Sequence, residues 1–187
     1  MIVAVLGKIA SGKSEIMTIL QNKGFYCIYG DKITRALYEN GKSGQKKIKK
    51  YFGEKFLTQS GDVDREKLRN VVFNSPAKLK LLNTIIHPLV YVELKSMIRK
   101  VKKNTDIVLE VPFLDGSELH NVVNKIIWIE RSSKLIERTL ISERGFSKIL
   151  AKKVVKLIKR PKEVDFVIKN DGDFSALNFL VSQALDL

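Results

Sequence analysis

Residues Gly7-Lys8-Ile9-Ala10-Ser11-Gly12-Lys13-Ser14 form a G-x-x-x-x-G-K-[ST] run without mismatch, and each residue type in it suits the holding of phosphate. The glycines let the backbone curl until successive N–H groups face one point, and a helix that starts there adds the positive end of its dipole. In such a cradle Lys13 reaches the β- and γ-phosphates of a nucleoside triphosphate, while the Ser14 hydroxyl ligates the Mg²⁺ that bridges them. At ordinary residue frequencies a chain of this length meets the pattern by chance on the order of once in a hundred. The bland alternative is a glycine turn carrying a solvated lysine. Taken alone, the run specifies a triphosphate and leaves ATPase, GTPase and kinase open.

The flanking sequence supplies the strand and helix that the motif requires. Met1 to Leu6 is a short apolar, partly β-branched run that suits a strand buried on both faces. Behind the loop, Ile16, Ile19 and Leu20 recur at helical spacing as far as Gly24, a C-cap residue, and Phe25 to Tyr29 reads as a second strand neighbouring the first. From Asp31 to about Lys103 the pattern is helical, punctuated at Gly41-Lys42-Ser43-Gly44, Gly53, Ser60-Gly61-Asp62 and Ser75-Pro76. So long a stretch without a strand predicts a helical insertion rather than a βαβ repeat. Strands follow at Asp106 to Val111, Lys125 to Glu130 and Asp165 to Lys169. Ser132 and Ser133 offer N-caps to a helix reaching Glu143, and Gly145 to Lys159 is a basic helical excursion.

Composition bounds what this architecture can be. The 187 residues, 44% hydrophobic and 29% charged, are ordinary for one folded α/β unit with appendages. No apolar run approaches the roughly 20 residues that span a bilayer, so the expectation is a cytoplasmic protein with no membrane partner. Cys27, the single cysteine, cannot close an internal disulfide and is expected to be core within its strand. The net charge of +14 draws in polyanions without choosing among them. Runs such as Lys46-Lys47-Ile48-Lys49-Lys50 equally suit a solvated helix face. No pattern of a nucleic-acid-binding module accompanies the charge, so no obligatory nucleic acid is expected.

Beyond the loop, ordered blocks along nearly the whole chain resemble the dephospho-coenzyme A kinase family. Asp31 is similar to the second Asp of the family's Asp-x-Asp segment, with Ile33 and Arg35 after it. Gly61-Asp62-Val63-Asp64-Arg65-Glu66-Lys67-Leu68 with Val72-Phe73, then His87-Pro88, then Glu110-Val111-Pro112-Phe113-Leu114 resemble successive family blocks. Arg138 with Arg144-Gly145-Phe146-Ser147 resembles the lid pattern, and Asp165-Phe166-Val167-Ile168 with Asn170 and Gly172 the closing one. Three departures stand out. Tyr29 occupies the place of the family's first Asp. Gly116 replaces a common Glu, with Asp115 and Glu118 nearby. The segment Lys152 to Glu163 is shorter than the family's and lacks its Gln, a role open to Lys159 or Arg160.

The resemblance implies a three-layer P-loop NTPase-like fold with a central parallel five-stranded sheet. In it a core (about 1–30, 104–140 and 160–187) carries a helical acceptor-binding insertion (about 31–103) and a short lid (about 141–159). It implies transfer of the ATP γ-phosphoryl to the ribose 3'-hydroxyl of dephospho-coenzyme A, the last step of coenzyme A biosynthesis, with Mg²⁺ as cofactor and ATP as co-substrate. The chain would act as a monomer or weak homo-oligomer. ATP would be bound by the eight loop residues and Arg144. Lys13, Asp31, Arg138 and Arg144 would be catalytic, with Asp31 the proton acceptor, against its alternative as N-cap of the helix at Lys32. Asp31, Arg65, His87 and Pro112 would bind the acceptor. Arg65 could instead pair with Asp62 or Asp64, and His87 read on its own is a packed turn residue. The rival enzyme is a nucleoside or nucleotide monophosphate kinase, and the rival from another class a basic P-loop protein that binds nucleic acid and uses ATP as a switch.

Overall fold

Strand β1, Ile2–Gly7, has no exposed residue, and its alternation sends Val3 and Val5 to one face of a sheet and Ala4 and Leu6 to the other. Burial on both faces is the mark of a central parallel strand. In the computed structural model, which describes residues 1–111, 114, 119–172 and 174–187, β1 is the middle of five parallel strands. The others are β2 (Tyr26–Tyr29), β3 (Ile107–Glu110), β4 (Lys125–Glu130) and β5 (Phe166–Lys169), in the order β2-β3-β1-β4-β5. Val3 is opposite Val108 on one side and Lys125 on the other, so the carboxyl ends of the strands collect along one edge.

The order corrects one expectation: β2 does not neighbour β1, because β3 lies between them. The composition explains the choice. Ile107, Val108 and Leu109 are at most 5% exposed and suit an inner strand, whereas Tyr26 is 47% exposed and suits an edge. Cys27 is likewise half-buried rather than core, its thiol directed at the Met17 carbonyl at 3.5 Å.

The chain divides into two compact units, Met1–Tyr29 with Lys100–Leu187, and Gly30–Arg99. In the first, helices α1 (Lys13–Asn22) and α8 (Phe174–Leu185) cover one sheet face. Ile16, Met17 and Leu20 of α1 and Leu177, Val181 and Leu185 of α8 close over Val3, Val5, Ile127 and Ile129. Burial of each such aliphatic side chain contributes about 1.5–3 kcal/mol. Gly24 ends α1 as the sequence indicates: at φ +91° it lets the Phe25 N–H reach the Leu20 carbonyl and its own N–H reach Gln21. Helices α6 (Ser133–Ser142) and α7 (Lys148–Leu157) pack on each other, capped by the hydroxyls of Ser132 and Ser147.

The second unit is helical: α2 (Gly30–Leu37), α3 (Ser43–Phe52), α4 (Arg65–Val72) and α5 (Pro76–Lys100), with a 3-10 turn at Glu54–Phe56. Asp64 caps α4 through the Lys67 N–H, and Asp62 accepts from Asn40 N and Ser60 Oγ, tying the 58–63 turn to the end of α2. His87 is not in a turn. Helix α5 runs through Pro88, which costs the bond to the Thr84 carbonyl, and the burial of Ile85, Ile86, Val90 and Leu94 holds it together.

Burial pushes the half-buried His87 imidazole below its ordinary 6.5. The unfolded chain therefore takes up a proton near that pH while the folded chain does not. Stability is complete above 6.5 and declines as pH falls toward the lowered folded value. Thermal melts between about pH 7 and about pH 5 are expected to show the midpoint falling, and His87→Gln to flatten that slope.

Candidate active site

Between β1 and α1 the backbone passes through two left-handed residues, Ala10 at φ 60° and Gly12 at φ 90°. This φ is uncommon for a residue with a Cβ, so the loop's conformation must be held by its surroundings. The holders are visible in its carbonyls. Lys13 Nζ donates to the carbonyls of Gly7 at 3.2 Å and Lys8 at 3.1 Å, and the Ser11 N–H also reaches Lys8. Arg131 Nη1 donates to the Ala10 carbonyl at 3.0 Å and Asn170 Nδ2 to that of Ser11 at 3.1 Å. The Gly12 carbonyl takes the first N–H groups of α1.

With five of its carbonyls so engaged, several of the loop's amides are left over. Among the described residues the N–H groups of Ile9, Ala10 and Gly12 meet no acceptor. Unfilled amides beside a helix N-terminus suit an anion, and the half-buried Lys13 ammonium is anchored on the carbonyls that open the loop. Two glycines are required by space. A Cβ on Gly7 would stand 2.5 Å from Ser11 Oγ and 2.9 Å from the Ile129 carbonyl, and one on Gly12 would stand 1.8 Å from Asn170 Nδ2. Ser14, the second residue of α1, has an exposed side chain and a hydroxyl that makes no hydrogen bond among the described residues.

Arg138 is exposed on α6, and Arg144 is exposed in the turn that follows. That turn is built by Gly145 at φ +66°, which brings the Phe146 N–H to the Leu140 carbonyl, and the Phe146 ring is buried. Arg131 contacts the loop, yet it lies one residue beyond β4 and belongs to no motif, so nothing in the sequence marks it. Asn170 was legible only as one letter of the closing pattern. Arg160, raised as a stand-in for the missing Gln, faces Glu130 at 3.7 Å.

The second unit makes a separate cluster. Asp31 lies inside the first turn of α2, one residue past its start at Gly30, so it is not the N-cap. Arg35 follows one turn later. Neither Asp62 nor Asp64 forms an ion pair with Arg65, which instead feels other charges. Burial lowers its affinity for a proton, the Arg35 guanidinium lowers it further, and the Asp31 carboxylate and Tyr38 act in the opposite sense. The Tyr38 hydroxyl is itself pushed up by burial. Asp31, Arg35 and Arg65 thus share one electrostatic neighbourhood, with guanidinium in excess of carboxylate. His87 lies on α5, its ring 6.0 Å from that of Tyr91. Pro112 lies outside the described residues, as do Asp115, Gly116 and Glu118. At the position of the family's first Asp, Tyr29 is held protonated by burial, then by Cys27 and Glu110.

Comparison with known proteins bears on this arrangement over nearly its full length. The sequence profile of the dephospho-CoA kinase family matches residues 1–176. A dephospho-CoA kinase of Fusobacterium nucleatum is 36% identical over 186 residues, 95% of this chain and 93% of the relative. One from Carboxydothermus hydrogenoformans is 34% identical, over 94% of this chain and 88% of the relative. Among solved structures, a Thermus thermophilus protein superposes with a TM-score of 0.75 at 22% identity, covering 100% of this chain and 96% of that one, which speaks to the fold. The dephospho-CoA kinase of Campylobacter jejuni follows at 0.64 and 26% identity, covering 99% and 95%.

Gly12→Ala places a methyl group on the Asn170 amide at a backbone angle suited to glycine. The variant is expected to lose about 1–3 kcal/mol of stability in urea melts and on the order of tenfold or more in ATP affinity by calorimetry.

Proposed function

The chain belongs to the dephospho-CoA kinase family, and on that premise we propose how its residues divide the transfer of phosphoryl from ATP to the ribose 3'-hydroxyl of dephospho-coenzyme A. As an ATP-dependent kinase it yields coenzyme A and ADP. Such transfers are limited mainly by alignment and by charge on the moving group, so the residues that matter are cations, amide donors and one proton acceptor.

The loop amides of residues 7–14 wrap the terminal phosphates, and Lys13 balances their charge. No group of three or more His, Cys, Asp or Glu side chains able to hold a metal occurs among the described residues. The Ser14 hydroxyl, exposed and unengaged among the described residues, would be the protein's ligand to Mg²⁺. When bound, the ion offsets charge on the β- and γ-phosphates.

Asp31 is the proton acceptor for the 3'-hydroxyl. It does this alone, since Tyr29 replaces a second carboxylate. Arg65, with Arg35 beside it, holds the anionic end of the acceptor: two guanidiniums near one carboxylate leave positive charge to be neutralised, and each can fork onto phosphate oxygens. Helices α2–α5 form the acceptor-binding subdomain, and by the family resemblance His87 and Pro112, the latter outside the described residues, are assigned to the acceptor. Arg138 and Arg144, on the lid segment of about 141–159 and the helix leading to it, close on the ATP phosphates and exclude water that would hydrolyse ATP. ATP and dephospho-coenzyme A are the only partners this mechanism requires.

The observation that carries the reading is the intact phosphate loop within a family match reaching residue 176. Mass spectrometry after incubation with ATP, Mg²⁺ and a panel of acceptors is expected to show one added phosphate on dephospho-coenzyme A. Phosphate added to nucleosides or nucleoside monophosphates instead would favour the rival kinase. Asp31→Asn keeps the side-chain shape and removes the base. Its kcat is expected to drop about 10²- to 10⁴-fold with the KM for ATP little changed, and a wild-type rate would remove Asp31 from the mechanism.

A further inference from the structure

The loop that would hold ATP cannot hold its own shape. Its two left-handed residues turn the Ala10 and Ser11 carbonyls outward, and an outward carbonyl without a donor would cost the loop its conformation. Both donors come from the carboxyl ends of neighbouring strands. Arg131, one residue past β4, takes Ala10; Asn170, one residue past β5, takes Ser11. Asn170 is 1% exposed and is fixed from three directions. Its Nδ2 donates to the Ser11 carbonyl at 3.1 Å and to Glu15 Oε2 at 2.8 Å, and its backbone N–H donates to the Glu130 carbonyl at 2.8 Å.

The side chain at this place must therefore present two N–H donors from one atom, to a carbonyl and to a carboxylate at once. An amide does this. A carboxylate would turn acceptors onto acceptors, and a longer Gln would collide, because the Asn amide already fills the space over Gly12. Glu15 belongs to the first turn of α1, so the one amide ties the loop's last outward carbonyl to the start of the helix.

We infer that Asn170 is a positioning residue for ATP: it clamps the Ser11 carbonyl and the α1 N-terminus so that the loop amides stay aimed at the phosphates. The inference rests on the assignment of that loop to ATP. Asn170, 1% exposed, offers almost no surface to either substrate, and its effect falls on the nucleotide and not on the acceptor.

The test is Asn170→Asp, isosteric but lacking the donor, with Asn170→Ser as a second variant should the first fail to fold by circular dichroism and thermal melting. Calorimetry with ATP and separately with dephospho-coenzyme A, together with steady-state kinetics, reads the split. Expected are a rise in the Kd and KM for ATP of about tenfold, the effect of one hydrogen bond to a shape-determining carbonyl, and values for dephospho-coenzyme A within about twofold of wild type. ATP binding unchanged in a folded variant, or equal losses for both substrates, would overturn the inference while leaving the kinase reading intact. Wild-type protein that binds no ATP would overturn the loop assignment, and this inference with it.

Discussion

Every peptide unit between Gly7 and Ser14 has a donor end and an acceptor end, and the loop can offer an anion its donors only if its acceptors are satisfied elsewhere. That requirement reaches far into the chain. Lys13 folds back onto the carbonyls of Gly7 and Lys8, Arg131 and Asn170 arrive from beyond β4 and β5 for those of Ala10 and Ser11, and α1 takes that of Gly12. Residues more than a hundred positions away in sequence thereby belong to the phosphate cradle.

A parallel sheet makes such an arrangement possible. Because β1, β4 and β5 run the same way and pair in sequence-ordered register, their carboxyl ends and the residues just past them share an edge. Small contacts fix that edge: Asn170 N to the Glu130 carbonyl, Ser132 N to the Asp171 carboxylate, and Arg160 to Glu130. At the opposite edge the Asp165 carboxylate accepts from Ile126 N at 2.6 Å and locks β5 against β4 at its start. Register errors here would displace Asn170 from Ser11 as surely as a substitution would.

Charge is distributed with a similar economy. Much of the lysine excess lies on exposed surfaces such as α3, where Lys49 pairs with Glu54 at 2.8 Å and Lys47 and Lys50 flank the Tyr51 ring at 6.0 and 5.6 Å. Exposed pairs of this kind are screened by water and salt and add little to stability. The arginines behave differently. Arg131 donates to the loop, and the Arg35 guanidinium opposes protonation of Arg65, an arrangement an anion would stabilise.

Local chemistry was written plainly in the sequence. The loop, the Gly24 stop of α1, the Ser132 cap and all five strands could be read because glycine, serine and β-branched residues act over a few positions, where the backbone's own sterics and hydrogen bonds decide. Ordered blocks along the chain carried the family as well. Strand order was another matter: β2 lies at the edge beside β3 because burial of whole strands, and not adjacency in sequence, ranks them across the sheet. The same holds for His87, kept helical through Pro88 by the packing of α5, for Arg35 as a neighbour of Arg65, and for Arg131 and Asn170 as supports of the loop. Which donor meets which distant carbonyl is fixed only when the strands pair. A residue's own identity cannot announce a partner that long-range burial brings to it.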